Sequence, residues 1–214
     1  LKIFILSRGT NGKNNDRLYR YDLTIAYDVS TCAFVKDVDP DTDALAGTSF
    51  GGRPDKSRHH VHGIEINPDG TKIFLVVNDV NGTGDGVKEY NLSTPYDIDT
   101  MSLVTSGGIH LSKGETGFNP NAIFIGLNGK RLFVTDHDKY TVTQFTLHNP
   151  YDTSSFTEDG SVSIQDLTSD NNNQTRALGF SKNGLKMFVS DDTGDDEIFE
   201  FNLACPFNII AGKC

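Results

Sequence analysis

The sequence predicts an all-β chain, a β-propeller of four-stranded antiparallel meander blades with about four repeats, on three observations. A strand–turn–strand phrase occurs three times, an aromatic-x-Leu phrase occurs four times, and no segment sustains an apolar pattern at helical spacing. Composition agrees, since 21 Gly, 14 Phe and 7 Tyr against 2 Met favour short strands joined by tight turns. Almost no helix is expected.

The first phrase runs from Ile64 through Asp69-Gly70 to Phe74, from Ile123 through Asn128-Gly129 to Phe133, and from Leu178 through Asn183-Gly184 to Phe188. Asx-Gly between two short apolar runs is the strongest local hairpin signal. The second phrase is Tyr21-Asp22-Leu23, Tyr90-Asn91-Leu92, Phe145-Thr146-Leu147 and Phe201-Asn202-Leu203. Four residues beyond each Leu stands Tyr27, Tyr96, Tyr151 or Phe207, followed by Asp28, Asp97, Asp152 or Asn208, whose short polar side chains can accept backbone N–H bonds and close a turn.

The aromatic positions are 69, 55 and 56 residues apart, the size of a four-stranded blade or slightly more. The extra length of the first interval, Asp37 to His62, reads as an inter-blade loop. In the third unit strand A is assigned to Asn121–Leu127, B to Arg131–Thr135, C to Thr141–Leu147 and D to about Ser161–Gln165. The repeat units fall at about 1–60, 61–118, 119–174 and 175–214, within one domain. Because Leu1 to Leu6 aligns with strand B, the order reads B-C-D, A-B-C-D, A-B-C-D, A-B-C, and ring closure calls for missing sequence or strand exchange. The strand-like opening Leu1-Lys2-Ile3-Phe4-Ile5 reads as a start removed by processing or truncation.

The phrases Pro68-Asp69-Gly70-Thr71-Lys72-Ile73-Phe74 and Asn91-Leu92-Ser93-Thr94-Pro95-Tyr96-Asp97-Ile98-Asp99-Thr100 resemble a repeat family of bacterial and phage extracellular propeller proteins. More loosely, the chain is similar to surface-layer and lactonase-like propellers. The resemblance implies fold and a surface location. It brings no catalytic motif.

A net charge of −10 and pI near 4.9 argue against nucleic acid or an anionic membrane as partner. No apolar run approaches the roughly 20 residues that span a bilayer. Cys205 and Cys214 bracket the terminal segment, where a disulfide would imply an oxidising compartment, while Cys32 stands apart.

Two sets of side chains could hold a metal. His60 and His62, alternate residues of an expected strand, could take zinc or copper given a third ligand. Asp191, Asp192, Asp195 and Asp196 form an acidic hairpin tip that could supply several of the about six to eight oxygens of calcium. No cofactor is required by the sequence, calcium being the candidate.

No nucleophile elbow, zinc-protease helix or phosphate loop is present. The leading expectation is therefore a non-enzymatic extracellular or particle-surface structural and binding module. Its partners would be a protein or glycan at the loop rim, or copies of itself in a homo-oligomer, filament or lattice. Two alternatives stand beside it: a metal-dependent lactonase or hydrolase-like propeller enzyme, lined by the strand A beginnings near Asn121 and the His59 to His62 segment, and a carbohydrate-binding module using Tyr140, Phe118 and Phe50.

Overall fold

The computed structural model describes residues 1–7, 16–39, 59–79, 85–111, 118–168, 174–192 and 197–212. Four antiparallel sheets follow one another along the chain. The first is β1 (Lys2–Ser7), β2 (Arg17–Leu23) and β3 (Cys32–Val38). The second is β4 (His59–Ile66), β5 (Lys72–Asp79), β6 (Gly86–Leu92) and β7 (Met101–Leu103), with β8 (Ile109–His110) also on β6. The third is β9 (Pro120–Gly126), β10 (Arg131–Asp136), β11 (Thr141–Asn149) and β12 (Asp152–Ser163), and the fourth is β13 (Thr175–Phe180), β14 (Lys186–Asp191) and β15 (Ile198–Asn202). The strand order is the expected B-C-D, A-B-C-D, A-B-C-D, A-B-C, and the architecture is that of propeller blades.

Register is the same in every sheet. Ile3, Ile73, Leu132 and Met187 on the B strands face Tyr21, Tyr90, Phe145 and Phe201 on the C strands. Side-chain alternation then sends successive B residues to opposite neighbours. Ile73 and Leu75 join a core with Leu18 and Val38 of the first sheet, while Phe74 and Val76 join one with Ile123, Ile125 and Leu132 of the third. Phe133 turns the other way, towards Met187 and Val189 of the fourth. A blade apolar on both faces is stable only between neighbours, which is the physical reason for the repetition.

Tyr27, Tyr96, Tyr151 and Phe207 have left-handed backbone, with φ of 63, 60, 55 and 51, and the polar residue after each closes a turn. Asp28, Asp97, Asp152 and Asn208 accept from the N–H two residues on, at 3.0, 3.4, 2.9 and 3.3 Å. Strand D of the third unit begins earlier than expected, at Asp152, and the residues assigned to its end form a short helix, α1 (Ile164–Thr168), whose Ile164 is buried against Phe133 and Val142. Part of the expected inter-blade loop is strand, since β3 reaches Val38 and β4 starts at His59. Among the described residues no helix is long and apolar enough to cross a membrane.

Candidate functional site

The three A strands β4, β9 and β13 lie side by side. Gly63 makes their closest approach possible, because a Cβ there would stand 2.7 Å from the Asn121 carbonyl oxygen. Each of these strands carries a β-bulge at the same place, opposite the end of its B strand. The register slips between Val61 and Gly63 in β4, between Pro120 and Ile123 in β9, and between Thr175 and Ala177 in β13. An extra residue in one strand frees an amide and re-aims a side chain, and bulges of this kind gather beside active sites. Two of the amides are recovered by hydroxyls of the facing B strand: Ala122 N–H donates to Thr135 Oγ1 at 2.9 Å, and Ala177 N–H to Ser190 Oγ at 3.0 Å.

The bulged residues are His62, Asn121 and Arg176. Around them stand His60 in β4 and Asn119 just ahead of β9, with Asn78, His137 and Asp192 at the B-strand ends. Polar contacts connect Asn78, Asn119, Asp138 and His137 across the second and third sheets and bring His137 up to the Arg176–Asp192 pair of the fourth. Asn78 Nδ2 donates to Asn119 Oδ1 at 2.5 Å, and Asn119 Nδ2 donates to Asp138 Oδ1 at 3.3 Å. His137 is 8% exposed, its Nδ1 lies 2.6 Å from Asp138 Oδ1, and its Nε2 stands 3.9 Å from Asp192 Oδ1. Asp192 in turn accepts from Arg176 Nε at 2.5 Å. Buried polar atoms without a hydrogen-bond partner among the described residues concentrate here: His60 Nδ1, Asn121 Nδ2, Asp136 Oδ2 and His137 Nε2. Such atoms are rare in folded proteins and mark places where a ligand or water is received.

Asp136 anchors the tip that presents His137. Its Oδ1 accepts from the N–H groups of Asp138 and Lys139 at 3.0 and 2.9 Å, while burial pushes its carboxyl above the usual range against those bonds. Asp191 does the same in the next sheet, its Oδ1 accepting from Glu197 N–H at 2.9 Å.

The acidic tip is thus already engaged, with Asp191 closing the hairpin and Asp192 holding Arg176; Asp195 and Asp196 lie outside the described residues. His60 and His62 have ring centroids 6.3 Å apart, with His62 at the bulge between Val61 and Gly63. The buried Asp16 carboxylate, donated by the first sheet, lies 3.8 Å from His60 Nδ1 and accepts from Val61 N–H at 2.7 Å. Among the described residues no three His, Cys, Asp or Glu converge as a metal site. Of the three aromatics considered for sugar stacking, Phe50 lies outside the described residues and Lys139 Nζ covers the Phe118 ring at 3.4 Å. Cys32 is a free thiol, Cys205 is not among the free cysteines, and Cys214 lies outside the described residues.

A half-buried acid, Glu65, lies near the other end of β4. Burial pushes the Glu65 carboxyl up to about 7. The folded state thus favours the neutral acid, so its contribution is complete below the unfolded value near 4.5 and is lost as pH rises through about 7. At pH 8, Glu65→Gln is expected to be more stable than the parent by about 3 kcal/mol, and at pH 4 equally stable. Thermal melts of both proteins from pH 4 to 8 check this, and parallel curves would refute it.

No family model matches the chain, and no curated protein matches it in sequence. Solved structures do. A 6-phosphogluconolactonase candidate from Bacteroides fragilis NCTC 9343 aligns at 13% identity and TM-score 0.60, over 95% of this chain and 64% of that one. The periplasmic gluconolactonase PpgL of Pseudomonas aeruginosa aligns at 14% identity and TM-score 0.58, over 94% of this chain and 50% of that one. The β-propeller domain of Cps50 (Swd1) from Myceliophteria thermophila aligns at 12% identity and TM-score 0.50, over 88% and 49%. At these identities the likeness establishes the propeller fold. The chain spans between half and two thirds of the length of the two lactonase-type chains.

These comparisons correct the leading expectation from sequence. The expectation of a non-enzymatic structural module is overturned by neighbours that are lactonase-type propellers, although what this chain demonstrably shares with them is the fold. The misreading has a physical cause. The rim takes one bulge residue and one tip residue from each of several sheets, so no contiguous motif records it. The signal available in sequence was polar His62, Asn121 and Arg176 two residues before the repeated apolar positions Ile64, Ile123 and Leu178.

Proposed function

We propose that the chain carries part of the active rim of a propeller enzyme that hydrolyses a sugar lactone. The observation that supports this most is His137, a buried imidazole with a carboxylate on Nδ1 and an unpartnered Nε2 facing the Arg176–Asp192 pair. In this reading Asp138 fixes the ring orientation, and Nε2 takes a proton from water as the water oxygen bonds to the lactone carbonyl carbon. The Arg176 guanidinium, oriented by Asp192, and the Asn121 amide donate to the carbonyl oxygen as it gains negative charge. The ring C–O bond then breaks, and the ring oxygen leaves with a proton returned from the imidazolium, giving the open hydroxy acid.

Three observations favour a periplasmic or extracellular setting: the repeat resemblance, the periplasmic location of one neighbour, and the exclusion of Cys205 from the free thiols. Cys214 would be the disulfide partner.

The test is proton release from gluconolactone, followed by pH-stat against spontaneous hydrolysis. The parent protein should accelerate ring opening, and His137→Ala should lower the rate by about 10²-fold or more with little change in melting temperature. A parent protein no faster than buffer would overturn the proposal.

A further inference from the structure

The bulges in β4 and β9 are fixed by different means. In β9 the register passes from Ile123 opposite Val134 to Pro120 opposite Asp136, so Asn121 and Ala122 together face Thr135. A bulge of this kind takes an amide off the ladder. Pro120 has no N–H to lose, and the Ala122 N–H is taken by the Thr135 hydroxyl at 2.9 Å. In β4 the residue at the Thr135 position is Val76, opposite Gly63, and the nearby Val61 N–H is taken by Asp16 of the first sheet at 2.7 Å.

Thr135 and Val76 are both wholly buried. Valine serves packing at this place, so the hydroxyl is the informative difference. A second grip on the same segment comes from Gly63, where a Cβ would stand 2.7 Å from the Asn121 carbonyl oxygen and 3.2 Å from the Ala122 Cα. Asn121 is thus held by backbone of the second sheet on one side and by a hydroxyl of its own sheet on the other. Its Nδ2 is buried without a hydrogen-bond partner among the described residues, so the bulge backbone, and not a bond to that nitrogen, aims the side chain.

We infer, resting on the lactone reading, that Thr135 is a positioning residue for Asn121: its hydroxyl holds β9 in the bulged register that aims the Asn121 amide at the substrate carbonyl oxygen. Without the hydroxyl, a part-buried amide is left unpaired, and it regains a partner by a one-residue slip of the strand end. Such a slip turns Asn121 to the opposite face. The loss then falls on stabilisation of the charge that develops in the transition state, and not on substrate binding.

The experiment compares the parent with Thr135→Val, which removes the hydroxyl and keeps the shape, and Thr135→Ser, which keeps the hydroxyl and removes the methyl. The second sheet already accommodates valine at this position, so the fold should hold. Two readouts are taken: the Asn121 side-chain amide signals by NMR, identified by their loss in Asn121→Ala, and kcat and KM for gluconolactone by pH-stat. Thr135→Val should displace the Asn121 signals and lower kcat roughly tenfold or more, with KM within about twofold of the parent. Thr135→Ser should restore both. Unmoved Asn121 signals or an unchanged kcat in Thr135→Val overturns the inference. So does a serine variant as impaired as the valine one, because the methyl and not the hydroxyl would then hold the strand. A parent protein without lactonase activity overturns the lactone reading instead, and the NMR comparison still decides whether Thr135 sets Asn121.

Discussion

Gly129→Ala is expected to lower the unfolding free energy by about 3–4 kcal/mol, a drop in melting temperature of roughly 6–12 °C for a chain of this size. Two effects add. Gly129 sits at φ +88, where a Cβ is strained, and that Cβ would overlap the Tyr151 ring. The ring cannot yield cheaply, because it packs against the core shared by the second and third sheets and its amide donates to the Gly129 carbonyl. Gly179→Ala is the control: that glycine has no positive φ and nothing within 4 Å of an added Cβ, so the change should be nearly neutral. Urea unfolding of both variants decides the matter. A Gly129→Ala protein within about 1 kcal/mol of the parent would show that the clasp does not order the blade.

Glu89→Ala is expected to cost about 3–5 kcal/mol. The carboxylate is 1% exposed and holds three donors: Lys72 Nζ at 2.5 Å, and the Thr153 N–H and hydroxyl at 2.7 Å each. Thr153 belongs to the next sheet, so Glu89 latches two blades, and alanine leaves a buried amide unpaired and the Lys72 ammonium with only the Tyr151 carbonyl, at 2.8 Å. The next blade shows which part of the latch needs charge. Gln144, one blade on, accepts from Ile209 N–H at 2.9 Å with a neutral carboxamide. Glu89→Gln should therefore keep the Thr153 amide bonded, lose the lysine pair, and cost less than half as much as alanine. Equal losses for the two variants would mean that the lysine pair, and not the inter-blade bond, carries the effect.

Much of the architecture was legible because it is local. Asp69-Gly70, Asn128-Gly129 and Asn183-Gly184 specify hairpins by backbone sterics alone, and the polar residues after Tyr27, Tyr96, Tyr151 and Phe207 specify turns by bonding two residues away. Copies of one phrase imply copies of one sheet. The candidate site was less legible, since alternation brings His60 and His62 together, with ring centroids 6.3 Å apart, but says nothing of the bulge at His62 or of the neighbouring sheets. The partners of Asp191 and Asp192, an amide of the same tip and Arg176, were likewise beyond reach of the sequence.

The sequence by itself determined an all-β repeat, the order of its strands and the positions of its turns, since each depends on residues within a few positions of one another. Only the tertiary structure decided the rest: that His62, Asn121 and Arg176 share equivalent bulges on adjacent strands, and that His137 meets Asp192 from the next blade. Those relations are set by cross-strand register and blade packing between residues far apart in the chain, and no local pattern encodes them.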